Sequence, residues 1–119
     1  MVKIRFMFTT MILALIFLVS AVPTARTEVN FKEYKATRNT KEFHLYLKGI
    51  GEGLECANEE LAARGSKTLY CKPEKETMNV EQYSDILKRE VAENARELSD
   101  DMPMGLILLN GLIKRFPCK

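Results

Sequence analysis

The chain has few of the residues from which catalytic and metal sites are usually built. It contains one histidine, His44, and three cysteines, no two of which are spaced as C-x-x-C. A zinc site needs several such ligands, so we expect no metal and no cofactor. Cys56 stands 12 residues after His44, about 18 Å along a helix, which is too far for a catalytic dyad. We therefore expect a binding protein rather than an enzyme, and assign His44 to packing or to the surface.

The sequence has no excess of charge of either sign beyond its first residues. The formal net charge of +2 is accounted for by Lys3 and Arg5, because residues 22–119 hold 16 basic and 16 acidic residues. Nucleic acids and anionic membranes attract proteins through a basic excess. We therefore expect neither as a main partner.

Strand signals are also absent. No segment alternates apolar and polar residues, and there is no hairpin signal, internal repeat or low-complexity tract. Apolar residues recur instead at spacings of three and four, the period of an amphipathic helix. The sequence predicts an all-α fold, a small bundle of three main helices with one or two short helices before them.

The longest apolar run stands at the start of the chain, from Phe6 to Val19, after two basic residues. Its length is short of the roughly 20 residues that span a bilayer, and small residues follow it. This order predicts a signal peptide over residues 1–21, cleaved after Ala21 or, as the second choice, after Ala25; the alternative is an uncleaved anchor. We expect a periplasmic protein with no stable membrane insertion after cleavage, and a compartment in which disulfides persist.

Two segments follow the signal peptide. Residues 22–39 form a polar N-terminal segment, mostly loop, in which Phe31 and Tyr34 suggest a helical turn or a strap across the core. Residues 40–119 form the helical domain, whose first helix lies within 40–64 and is closed by Gly65.

The other two main helices have clear starts. Asn79 with Gln82 has the pattern of a capping box for the second helix. The third is expected from Pro103 to Phe116 and to be the most buried. Its main face is predicted to hold Leu106, Leu109, Leu112, Ile113 and Phe116, broadened by Ile107 and Leu108.

The stretch "GIGEG" places three glycines inside the first helix. Together they cost roughly 2 to 3 kcal/mol relative to alanine, so a packing reason is expected. Gly49 and Gly53 are four residues apart and share a face. We predict that they form a groove for a crossing helix or for a homodimer, and the alternative is a kink. No strand precedes the glycines, which argues against phosphate binding.

Three cysteines allow one disulfide. Cys71 lies in a long connection and Cys118 follows the last helix, whereas Cys56 is fixed inside a helix. Residues at the ends of elements meet more easily within the roughly 7 Å that a disulfide requires, which favours Cys71–Cys118. The alternative is that all three stay reduced. If Cys71 and Cys118 pair, Cys56 remains outside that bridge, as a buried structural thiol or, alternatively, in an intermolecular disulfide.

Several stretches together resemble one family. "YLKGIGEGLECANEELAARGSKTLYCKPE", "NVEQYSDILKREV" and "MPMGLILLNGLIKRFPC" follow a signal peptide in the order and spacing of the Tai/Rap family of type VI secretion immunity proteins. The resemblance covers about residues 43 to 118. It departs from the family at His44 and Leu45, near which many relatives carry a cysteine, and at Cys56, near which close relatives carry an aromatic residue.

The resemblance implies an exported helical protein that binds and occludes a secreted peptidoglycan amidase, and it implies the same Cys71–Cys118 pairing. The alternative is a periplasmic structural or envelope-assembly factor on the same fold with no toxin partner. For an inhibitor, the candidate binding loop is Ser99, Asp100, Asp101 and Met102, a short acidic turn between rigid helices; the alternative is an ordinary solvated turn. The second candidate is the tip from Ser66 to Thr68.

Overall fold

Four helices follow one another along residues 28–119, the part of the chain that the computed structural model describes. They are α1 (Phe31–Thr37), α2 (Lys41–Ala63), α3 (Val80–Asn94) and α4 (Met104–Arg115). The predicted all-α class, with three main helices and a short one before them, is confirmed. The predicted signal peptide and its predicted cleavage sites lie outside the described residues. None of the described helices is long and apolar enough to cross a membrane.

The helix ends follow from local sequence. Asn79 and Gln82 form the predicted capping box at the start of α3, with hydrogen bonds of 2.9 Å in both directions. Thr40 caps α2 through its hydroxyl. Gly65 has φ +69, a left-handed conformation that ends α2 without the steric cost a Cβ would bring.

The N-terminal segment is more ordered than its composition suggested. Residues 22–39 were expected to be mostly loop with a helical turn or strap at Phe31 and Tyr34, and residues 31–37 form the full helix α1 because Asn30 and Glu33 make a second capping box. Phe31 and Tyr34 are buried in the common core and their rings stack. The segment is therefore a structural strap, and its two aromatic rings extend the core beyond the three main helices.

The core lies between the three main helices. Helix α4 packs most extensively on α3, α3 packs on α2, and α2 touches α4 over a smaller area. As predicted, α4 is the most buried, but only part of its predicted face lies in the core. Leu106 and Ile113 are 46% and 40% exposed, whereas the core face holds Met104, Ile107, Leu108, Gly111 and Leu112.

The close helix approach occurs at a different glycine from the predicted pair. A Cβ on Gly51 would lie 2.5 Å from the Tyr83 ring of α3, whereas a Cβ on Gly49 or Gly53 would meet nothing within 4 Å. The prediction of an intrachain helix crossing at Gly49 and Gly53 is therefore wrong. Gly51 stands four residues after Leu47, on the apolar stripe, while the other two glycines are exposed. A homodimer through the exposed pair stays a prediction.

Candidate functional site

The predicted binding loop, residues 99–102, joins α3 to α4 and is tied to the strap. The Phe31 amide donates to the Met102 carbonyl at 2.9 Å, and the Lys32 amide donates to the Asp100 carbonyl at 3.0 Å. On the far side of the loop, the Met104 amide donates to the Val29 carbonyl at 2.9 Å. Backbone hydrogen bonds therefore hold the loop at Asp100 and Met102, and hold the chain again at Met104 directly after it.

One side-chain ion pair and one backbone hydrogen bond within the loop add to this support. The Lys35 ammonium lies 2.6 Å from the Asp100 carboxylate, and the Met102 amide donates to the Ser99 carbonyl at 3.0 Å. Both charged groups are more than half exposed, so their attraction contributes about 0–1 kcal/mol. Ser99, Asp100 and Asp101 are exposed and Met102 is half-buried. The result is an acidic turn with a fixed backbone on the surface of the domain. We call residues 99–102 the acidic loop.

The second predicted tip, residues 66–68, leads into the disulfide connection. Cys71 and Cys118 are bonded, with Cα atoms 4.9 Å apart, so the favoured pairing is confirmed. The Cys71 amide also donates to the Phe116 carbonyl at 2.8 Å. The Thr68 hydroxyl lies 3.5 Å and 3.7 Å from the two sulfur atoms. The end of the chain is therefore fastened by both a covalent and a backbone contact.

Asn58 joins the connection to α2, a role that sequence reasoning missed. Its amide nitrogen donates to the Tyr70 carbonyl at 2.8 Å, and its side-chain oxygen accepts from the Leu69 amide at 2.7 Å. The Lys72 ammonium pairs with the Glu55 carboxylate of α2 at 3.1 Å, and both side chains are mostly buried. An asparagine on a helix carries no local signal for such a distant role.

Two phenols are buried in the core, Tyr70 in this connection and Tyr83 on α3. The Tyr70 and Tyr83 side chains are almost fully buried, and within residues 28–119 neither hydroxyl has a hydrogen-bond partner of good geometry. Burial, reinforced by the carboxylates of Glu55 and Glu59, raises the pKa of Tyr70 to about 12. Burial also raises the pKa of Tyr83, with a further contribution from the nearby Glu55 carboxylate.

The Tyr70 pKa predicts an alkaline loss of stability. An unfolded tyrosine ionises near pH 10 and the folded one near pH 12, so the contribution is complete below pH 10 and is lost between these values. Tyr70→Phe should therefore flatten the dependence of unfolding free energy on pH in this window. Urea unfolding at pH 9, 10 and 11 checks it by comparing the slopes of wild type and Tyr70→Phe. Equal slopes in wild type and Tyr70→Phe would contradict the prediction.

The remaining candidate residues are not brought together. Cys56 is the free cysteine and is exposed, so the expectation of a buried structural thiol is wrong. Its helix position turns it outward with Gly49 and Gly53. His44 is exposed beside Ser84, Asp85 and Lys88, and the described part of the chain holds no group of residues that could bind a metal ion.

Comparisons with protein-family models, with curated proteins and with solved structures matched nothing.

Proposed function

We propose that the protein is an exported immunity protein that binds a secreted peptidoglycan amidase and blocks its active site with the acidic loop. The proposal joins the family resemblance of the sequence to the geometry of residues 99–102. An amidase active site is a cleft, and a protein that fills it excludes both water and substrate. The inhibitor needs no chemistry of its own for this role.

The observation that carries the proposal is the bracing of the acidic loop. The strap holds the loop backbone through two hydrogen bonds, from the Phe31 and Lys32 amides to Met102 and Asp100, and the Val29 carbonyl holds Met104 directly after the loop. A loop held in one conformation before binding loses little entropy when it binds, and this raises affinity.

Export is supported by the disulfide. Cys71 and Cys118 join a long connection to the chain end, and such bridges persist in oxidising compartments and are rare in the cytosol. A periplasmic protein would meet peptidoglycan hydrolases directly. Residues 22–119 would be the form that acts there.

The test is a search of the neighbouring genes for a cysteine–histidine amidase, followed by inhibition of the enzyme that it finds. Purified residues 22–119 should inhibit cleavage of isolated peptidoglycan at about one equivalent, without being consumed. Asp101→Arg should weaken inhibition on the order of 100-fold, as replacement of a central contact residue does. Glu93→Arg, on exposed α3 surface, makes the same charge change away from the loop and should inhibit like wild type.

Two results would count against the proposal. One is an amidase that stays active in the presence of excess protein. The other is the lack of any neighbouring amidase gene, together with a periplasmic pull-down that recovers only envelope-assembly proteins. That second result would favour the structural or assembly role on the same fold. Retained amide protection of Phe31 and Met104 in Asp101→Arg would show that the variant keeps its braced loop.

A further inference from the structure

Three methionines lie within residues 22–119, and they differ in burial. Met104 is 1% exposed and belongs to the buried core, whereas Met78 and Met102 are half-buried and pack against that core. Met102 is the methionine of the acidic loop, and the two aspartates before it are exposed. The loop therefore holds one thioether at the boundary between the core and the solvent.

Met102 is also the residue through which the loop is attached to the rest of the domain. Its side chain packs against the core, and it is the apolar residue of a loop whose other three members are polar. Its carbonyl accepts the hydrogen bond from the Phe31 amide, and its amide donates to the Ser99 carbonyl. A chemical change of this side chain therefore acts where the loop meets both the core and the strap.

The methionine thioether is open to such a change. Its sulfur lone pair attacks one oxygen of hydrogen peroxide, the oxygen–oxygen bond breaks, and the products are a sulfoxide and water. The sulfur loses the two electrons that the peroxide gains. The sulfoxide is polar where the thioether was apolar, and this difference disrupts apolar packing. At Met102 the new polar group would lie against the core.

We propose that Met102 is an oxidation site through which hydrogen peroxide loosens the acidic loop. Oxidation of its sulfur weakens the contact with the core, and the loop then separates from the strap while the three main helices stay folded. Burial protects Met104, directly after the loop, from the same reaction. The reaction does not depend on a partner, but its consequence for the inhibition of an amidase rests on the proposed function.

The experiment treats residues 22–119 with hydrogen peroxide and locates the sulfoxides by mass spectrometry of peptides. Met102 should be oxidised at least about tenfold faster than Met104, because burial slows the access of the oxidant. The Phe31 amide, which donates to the Met102 carbonyl, should then exchange its hydrogen about tenfold faster than before oxidation. Exchange at the buried Leu87 of α3 should not change, and a methionine sulfoxide reductase should restore the original rates.

Two conservative variants separate the loop from the rest of the domain. Met102→Leu keeps an apolar side chain of similar volume, so its Phe31 amide should exchange like wild type before peroxide and should not respond to peroxide. Met78→Leu removes the other half-buried methionine and should respond like wild type.

Three results would overturn the proposal. They are oxidation of Met102 no faster than that of Met104, a Met102 sulfoxide that leaves the exchange of the Phe31 amide unchanged, and a Met102→Leu protein that responds to peroxide like wild type. None of these readouts involves an amidase, so this proposal and the proposed function can fail separately.

Discussion

Replacement of Cys71 and Cys118 by alanine should lower the free energy of unfolding by about 4 kcal/mol. The two cysteines are separated by 47 positions, and a bridge of that span removes much conformational entropy from the unfolded chain. A small domain has about 5–15 kcal/mol of net stability, so this loss is a large fraction of it. The bridge also holds the connection that Asn58 and Lys72 fasten to α2.

Urea unfolding of residues 22–119 measures this effect. The double variant, and wild type treated with dithiothreitol, should unfold at a similar and clearly lower urea concentration than the oxidised wild type. Cys56→Ala is the matched control, and because Cys56 is exposed its effect should stay within about 0.5 kcal/mol. A linked peptide that contains Cys56 in the mass spectrum of the unreduced protein would contradict the pairing.

Gly51→Ala should lower the free energy of unfolding by about 2 kcal/mol. The same change at Gly49 or Gly53 should raise it. A Cβ at residue 51 would meet the Tyr83 ring at 2.5 Å, and that ring is fully buried. Overpacking of this kind costs about 1–3 kcal/mol. At Gly49 and Gly53 the added methyl group meets nothing within 4 Å, so the helix gains about 0.5–1 kcal/mol from the better propensity of alanine.

Thermal and urea unfolding of the three single variants compare one substitution in three positions of one helix. A Gly51→Ala protein with Tyr83→Leu should recover part of the loss if the aromatic ring is the obstacle, because contacting residues show coupled effects. If all three variants change stability in the same direction, the assignment of the helix crossing to Gly51 is wrong.

The helix boundaries could be predicted because their signals are local. Asn79 and Gln82 lie three residues apart, and Gly65 directly follows the last turn of α2. The disulfide could be favoured because both cysteines stand at the ends of elements. These features need no knowledge of which helix packs against which.

The face that each helix buries could be predicted less well than the helix ends. The last helix is apolar on most sides, so its period does not indicate which face is buried, and Leu106 was wrongly placed in the core. For α2 the signal existed, because Gly51 lies four residues after Leu47 and three before Leu54 on one stripe. Gly49 and Gly53 have the same four-residue spacing, and this spacing alone does not show which face of the helix is buried.

The turn at residues 99–102 could be predicted from the sequence, but its contacts with the strap could not. An acidic turn between helices was visible in residues 99–102, whereas its bracing depends on backbone hydrogen bonds to Val29, Phe31 and Lys32. Backbone groups leave no trace in side-chain patterns, and the partners lie far apart along the chain. The role of Asn58 was missed for the same reason, since it too depends on long-range contacts.

The measurement that tests the central claim most directly is hydrogen exchange of residues 22–119, alone and with a peptidoglycan amidase encoded by a neighbouring gene. The claim is that the acidic loop is ordered beforehand and enters the active site. It predicts that the amides of Phe31, Lys32 and Met104 are already protected in the free protein, and that Ser99 to Met102 gain protection in the complex. The claim would be contradicted if the amides of Phe31, Lys32 and Met104 exchanged without protection in the free protein. It would also be contradicted if exchange at residues 99–102 were the same in the complex and in the free protein.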